Sequence, residues 1–274
     1  MDAHRSFRID EFEYLNVGGE AFMGRLYRPH GSNFPGVIDV HGGRWIRNDR
    51  FHNVAIAEFL AARGIAVFSI DFRMPPMASY PGSLEDIHFG VRWLKANADR
   101  LGIRPNEIGG LAMSSGGHQL LMTAMRPNAE PYGVHPLDGD FDASLKYMVV
   151  GSPVVDPVSR FKFSTDNNIE GLIEAHEKFW VPLSTMDDAN PQAIVDEGSF
   201  EDLPPLSISQ GSADSNFDYR DVERFAASYA AKGGEVDLKV YEGEPHSFIN
   251  RDPTSEASLD AMERMASFIE AHTS

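Results

Sequence analysis

Cysteine is absent from all 274 residues. Its absence excludes disulfides, thiolate metal sites and a cysteine nucleophile. It is compatible with a cytoplasmic location, which is the expectation taken forward. Positive charge is also scarce: 24 Lys and Arg face 41 Asp and Glu, a net charge of −17. Phosphate contact needs clustered Lys and Arg, and no basic stripe occurs, so nucleic acid is excluded as a partner. The acidity reads as solubility, with steering of a cationic substrate as the alternative. No apolar run approaches the roughly 20 residues of a membrane span, so no membrane partner is expected. The opening residues, MDAHRSFRIDEFEY, lack the apolar segment of a secretory signal. Metal-binding spacings such as H-E-x-x-H are missing, as are G-x-G-x-x-G and the phosphate loop with its lysine. No metal and no cofactor are therefore expected. Internal repeats and low-complexity tracts are missing too.

What the chain does have is an alternation of strand and helix. Residues 6–28 predict two antiparallel strands around NVGGE. GVIDVHGG (36–43) and IAVFSID (65–71) are short apolar runs, as in buried strands, with a helix at about 52–63 between them. Leu84, Ile87, Val91, Leu94 and Leu101 fall at helical spacing within 84–101. EIGGLAM (107–113) predicts a strand and SGGHQLLMTAM a helix. LKYMVVGSP (145–153), PLSISQGSAD (205–214), a helix at 219–233, EVDLKVYEG (235–243) and a helix at 256–271 continue the rhythm. The fold class is thus α/β, a mostly parallel sheet with helices on both faces. The expectation is one domain over 1–274, broken by an irregular cap or lid at about 154–200. The last helix and the edge strand could support a homodimer.

LAMSSGGH (111–118) places two serines at a strand-to-helix turn. A serine on such a turn is a nucleophile elbow, and its neighbours two residues away must be small. Around Ser114 these are Ala112 and Gly116; around Ser115 they are Met113 and Gly117. Methionine is too large, so Ser114 is the nucleophile candidate. A serine hydroxyl needs a histidine base and a carboxylate to orient that base. Asp214, in GSADSNFD, and His246, in EGEPHSF, each follow a predicted strand, in the order serine, acid, histidine. Each has a plainer reading, Asp214 as a loop turn and His246 as a surface histidine, and Asp218 is the rival acid next to a helix. Strand ends on one edge of a parallel sheet are where active sites form. VHGGRW (40–45) ends an earlier strand, and its glycines, with the amide of Ser115, can present N–H groups to an oxyanion. His41 is expected to brace that loop and His118 to be structural. His52, His88, His176 and His272 are expected at the surface, His176 being of interest beside Phe179 and Trp180. Arg73 and Asp71 are expected to hold loops.

Together, HGGRW, the stretch from SIDFRM to AMSSGGH, GSAD and PHSF resemble the α/β-hydrolase fold. Within it they are similar to small carboxylesterases, acetyl esterases, feruloyl-esterase-like and kynurenine-formamidase-like enzymes. The resemblance covers roughly 35–125 and 203–270. It implies a nucleophile at Ser114, an acid at Asp214, a base at His246, and oxyanion donors at Gly42, Gly43 and Ser115. Alanine at 112 replaces the usual glycine, and Arg44 stands where some relatives have a third glycine, setting a cation near the acyl site. Arg44, Trp45, Phe179 and Trp180 are the candidate substrate-binding residues. The expected function is hydrolysis of a small-molecule ester through an acyl-enzyme. An amide, formamide or lactone hydrolase with the same triad, or a non-catalytic binding protein on this fold, are the alternatives.

Overall fold

Alternating burial along each central strand sends neighbouring side chains to two separate cores. The computed structural model describes residues 6–273; residues 1–5 and 274 of the expected domain lie outside the described residues. Eight strands form one sheet: β1 (Phe7–Val17), β2 (Glu20–Pro29), β3 (Phe34–Val40), β4 (Ala66–Ile70), β5 (Ile103–Met113), β6 (Met148–Gly151), β7 (Leu206–Gly211) and β8 (Val236–Tyr241). Their order across the sheet is β1-β2-β4-β3-β5-β6-β7-β8. β2 runs antiparallel to β1 and β4; every pair from β4 to β8 is parallel. The expected α/β class, with a hairpin leading a parallel sheet, is what the chain forms.

On one face α1 (Val54–Ala62) and α10 (Glu256–Ala271) set Ile56, Leu60, Met262, Met265 and Ile269 against Val37, Val67, Leu111 and Val149. On the other, α2 (Gly82–Leu101), α3 (Ser115–Met125) and α8 (Arg220–Ala231) set Leu84, Ile87, Val91, Leu120 and Phe225 against Ile38, Val40, Phe68, Ala112 and Ile208. Adjacent strand residues such as Val37 and Ile38 thus serve opposite cores, as the two-residue period of a strand requires. Burying each such side chain contributes roughly 1.5–3 kcal/mol. The helix at 256–271 coincides with its expected span, and Ser255 caps it by accepting the amide of Ser258.

The stretch 154–200, expected to be irregular, is largely helical. It holds α4 (Pro157–Asp166), α5 (Glu170–Phe179), α6 (Thr185–Asp188) and α7 (Pro191–Glu197); α9 (Phe248–Arg251) follows β8. Asp156 and Asn190 start α4 and α7 by accepting the amides of Ser159 and Ala193, each with proline at the head of the helix. No helix among the described residues is long and apolar enough to cross a membrane.

Candidate active site

Parallel strands deliver their C-terminal ends to one edge of the sheet, and four loops meet there. Ser114 lies between β5 and α3 with φ 54° and ψ −123°, a conformation that side chains rarely adopt. Crowding explains the small neighbour at 116. A Cβ on Gly116 would stand 2.2 Å from the Val40 carbonyl oxygen and 2.5 Å from that of His41. The turn therefore presses the start of α3 against the end of β3. Ser115 is fully buried, and its hydroxyl accepts the Trp45 amide at 3.1 Å.

The other two side chains come from the ends of β7 and β8. Ser212 and Ala213 donate their amides to the carbonyls of Tyr241 and Glu244, tying the two loops together. The Ser114 hydroxyl lies 2.7 Å from His246 Nε2, and His246 Nδ1 lies 2.7 Å from Asp214 Oδ2. The second bond fixes the tautomer in which Nδ1–H donates to the carboxylate and Nε2 is free to accept from serine. Asp214 also accepts from Gln210 Nε2 at 3.0 Å and, through Oδ1, from the Asn216 amide at 2.8 Å. Phe217 meets the His246 ring edge-to-face. Asp218, the rival acid, is exposed and pairs with Arg220.

The loop after β3 is held from behind. The Gly42 carbonyl accepts from His41 Nδ1 at 2.8 Å and from Asn48 Nδ2 at 3.1 Å. A trans peptide points its N–H opposite to its C=O, so the Gly43 amide faces away from those two donors. Gly42 packs so closely on the nucleophile that a Cβ there would be 2.8 Å from the Met113 oxygen and 3.0 Å from Ser114 Cβ. Among the described residues no acceptor pairs with the amides of Gly43 or Ser115. Arg44 and Trp45 follow with φ of 60° and 66°.

These loops surround a cavity of about 250 Å³, lined by Ser114, His246, Gly43 and Arg44 together with Arg47, Asn48, His52, Asn216, Ser247, Asn250 and Arg251. Of the four residues expected to bind substrate, only Arg44 is on its wall. Trp45, Phe179 and Trp180 meet one another instead in the interior, each at most 1% exposed. The Trp45 and Phe179 rings stack at 5.3 Å, with Trp180 edge-on to both. They bury the α5 end against the Gly-Gly loop, which is a packing role. Arg47, His52, Asn216, Asn250 and Arg251 line the cavity without being candidates from the sequence. Arg47 and Arg251 carry a weak signal there, lying three residues after Arg44 and five after His246.

The remaining histidines sort by burial. His41 stacks on Phe72 and is pushed down to about 4 by burial. His118 is buried between Trp45 Nε1–H and the Ala189 carbonyl, also at about 4 through burial. His88 and His176, expected at the surface, are buried instead: His88 bonds the Pro127 carbonyl, and His176 donates Nδ1–H to Leu172. Burial, then the charge of Arg160, lowers His176 to about 3. His52 is half-buried and lines the cavity, and His272 bonds Phe268 and Glu235. Arg73 grips Asp86, and Asp71 accepts from Arg50.

The BD-FAE family model matches residues 26–228. The chain belongs to the BD-FAE family. As a BD-FAE member it is an α/β-hydrolase serine esterase. A dienelactone hydrolase family model also matches residues 200–273. Carboxylesterase NlhH of Mycobacterium tuberculosis is 35% identical over 225 residues, 80% of this chain and 67% of its own. Probable carboxylesterase 5 of Arabidopsis thaliana is 26% identical over 274 residues, 89% of this chain and 82% of its own. A propionate-bound esterase of Thermogutta terrifontis superposes with a TM-score of 0.77 at 19% identity, covering 97% of this chain and 94% of that one. At that identity the likeness establishes the fold alone, the α/β-hydrolase fold.

Proposed function

We propose that this BD-FAE member cleaves a small-molecule carboxylic ester through an acyl-enzyme on Ser114. His246 Nε2 takes the serine proton as Oγ attacks the ester carbonyl, and Asp214 holds the imidazole and stabilises its charged form. The amides of Gly42, Gly43 and Ser115 receive the tetrahedral oxyanion; one such donor is typically worth about 3–4 kcal/mol of barrier. His246 then protonates the leaving alcohol, and water attacks the acyl-enzyme by the same route in reverse. Helices α4–α7 form the cap of a single domain in this reading, and the cavity of about 250 Å³ suits a small acyl group.

The observation that carries the reading is the relay of two 2.7 Å contacts, serine to histidine to aspartate, on a strained strand-to-helix turn. The test is hydrolysis of p-nitrophenyl acetate and butyrate by wild type, Ser114→Ala and Ser115→Ala, with fluorophosphonate labelling. Turnover and label lost in Ser114→Ala but kept in Ser115→Ala is the expected result. An unlabelled, inactive wild type would overturn it. The dienelactone hydrolase match at 200–273, which spans Asp214 and His246, favours a lactone as the second substrate class, so the panel includes a lactone.

A further inference from the structure

The cavity has a charge that the rest of the molecule does not lead one to expect. Acidic residues outnumber basic ones in this chain, 41 to 24, for a net charge of −17. Arg25, Arg50, Arg73, Arg104, Arg224 and Arg264 each meet a carboxylate. Arg44, Arg47 and Arg251 all line the cavity beside Ser114, and the residues lining it include no aspartate or glutamate. Among the described residues, none of the three has a carboxylate at ion-pair distance. Asp49, the acid in the same loop, is turned onto the Phe51 amide.

Arg47 and Arg251 are exposed, whereas Arg44 is half-buried. Burial and the like charge of Arg47 both lower the affinity of Arg44 for its proton. The Arg44 guanidinium is confined against α5, where a Cβ on Gly171 would come within 2.8 Å of its Nη1. Behind it, Arg160 of α4 is fully buried over the Trp45 ring at 4.8 Å, with no hydrogen-bond partner for any of its three nitrogens. Burial, then repulsion from Arg44, brings Arg160 to about 9. The like charges of half-buried Arg44 and buried Arg160 oppose each other, and an anion entering the cavity beside Arg44 offsets that repulsion. Guanidinium is planar and forked, and it matches a carboxylate with two parallel hydrogen bonds.

We infer that the ester cleaved at Ser114 carries, besides the ester group, a free carboxylate, held in the cavity by Arg44, Arg47 and Arg251. The inference rests on the esterase reading and adds the substrate class to it. The carboxylate takes no part in bond making; it anchors the molecule while the ester carbonyl meets the serine. The long-range field of the acidic chain repels such a substrate, so recognition must be local.

Two matched pairs test this. Deacetylation of 4-acetoxybenzoate, read as 4-hydroxybenzoate formed, is compared with deacetylation of its methyl ester, read as methyl 4-hydroxybenzoate formed, and base uptake with monomethyl adipate is compared with that for dimethyl adipate. The first pair puts the charge on the leaving group and the second on the acyl group. The expected result is a kcat/KM for the charged member at least about tenfold higher in one pair, the typical weight of a charge-assisted hydrogen bond. Arg44→Gln and Arg251→Gln should each reduce that charged-to-neutral ratio by about tenfold, with Arg44→Lys recovering part of it. Arg100→Gln, which removes the same charge at the far end of α2, should not change the ratio. If the neutral members turn over as well as the charged ones while Ser114 is labelled by a fluorophosphonate, the carboxylate inference falls and the esterase reading stands. If nothing is turned over and nothing is labelled, both fall.

Discussion

Replacing Gly116 by alanine probes how the elbow and the oxyanion loop depend on each other. The new methyl carbon would begin 2.2 Å from one carbonyl oxygen and 2.5 Å from another, both in the backbone at the end of β3. No rotamer change relieves a clash with backbone. Ordinary contact between non-bonded heavy atoms lies at roughly 3.5 Å, so the start of α3 must move by about 1 Å. Overpacking of that kind typically costs about 1–3 kcal/mol. The same movement draws the Ser115 amide away from Gly42 and Gly43, and a displacement of about 1 Å at reacting groups can cost about a hundredfold in rate. The expected outcome is a fall of that size in kcat/KM for p-nitrophenyl acetate, with a urea midpoint lowered in proportion. Gly133→Ala is the control: its φ is −82° and the nearest atoms to an added Cβ are at 3.9 Å. It should leave the rate alone and the stability unchanged or up to about 1 kcal/mol higher, through a less flexible unfolded chain. Wild-type rate and stability in Gly116→Ala would refute the close-approach argument. Lost stability with a wild-type rate would refute its link to the oxyanion site.

Three other outcomes are expected. Ser115→Ala removes the acceptor of the buried Trp45 amide and should cost about 1–3 kcal/mol in denaturant unfolding. Asp39 is buried with Ser69 and Asn53 donating to it, and burial raises its carboxyl from 3.8 to about 6. A folded-state value above the unfolded one gives stability that is full below the unfolded value and is lost as pH rises through about 6. Asp39→Asn can keep both bonds, so its stability relative to wild type should rise by about 3 kcal/mol between acidic pH and pH 7; urea curves at several pH values check this, and a flat difference would contradict it. Arg73→Gln removes the guanidinium from Asp86, whose side chain is 0% exposed, leaving it His135 and the amide of residue 73, and should cost about 3 kcal/mol in the same assay.

Local chemistry makes part of the site legible in the sequence. Small residues on either side of one serine and not the other choose the register of the elbow, because crowding by β3 acts on the residue two positions away. Strands at 36–40 and 66–70 are legible as short apolar runs, since both faces of a parallel sheet are covered. The 154–200 segment reads as irregular although Asp156-Pro157 and Asn190-Pro191 are helix-start signals. Its aromatic residues draw the reading toward a substrate wall. An aromatic side chain looks the same in sequence whether it lines a cavity or fills a core, and Trp45, Phe179 and Trp180 fill one. His88 and His176 show the same limit, for the Pro127 carbonyl reaches His88, and the Trp45 and Phe161 rings cover His176, only once the chain is folded.

By itself the sequence determined the α/β class, the candidate nucleophile, acid and base, and the glycine loop, because each depends on a residue type at a strand end. Only the tertiary structure decided which side chains share the cavity. Arg44 and Arg47 follow β3, whereas Arg251 follows β8, with most of the chain between them. Their charges become one feature only when parallel strands bring those loops to the same edge of the sheet. Whether an arginine is neutralised or left free depends on which carboxylates reach it, and that is a property of the folded surface.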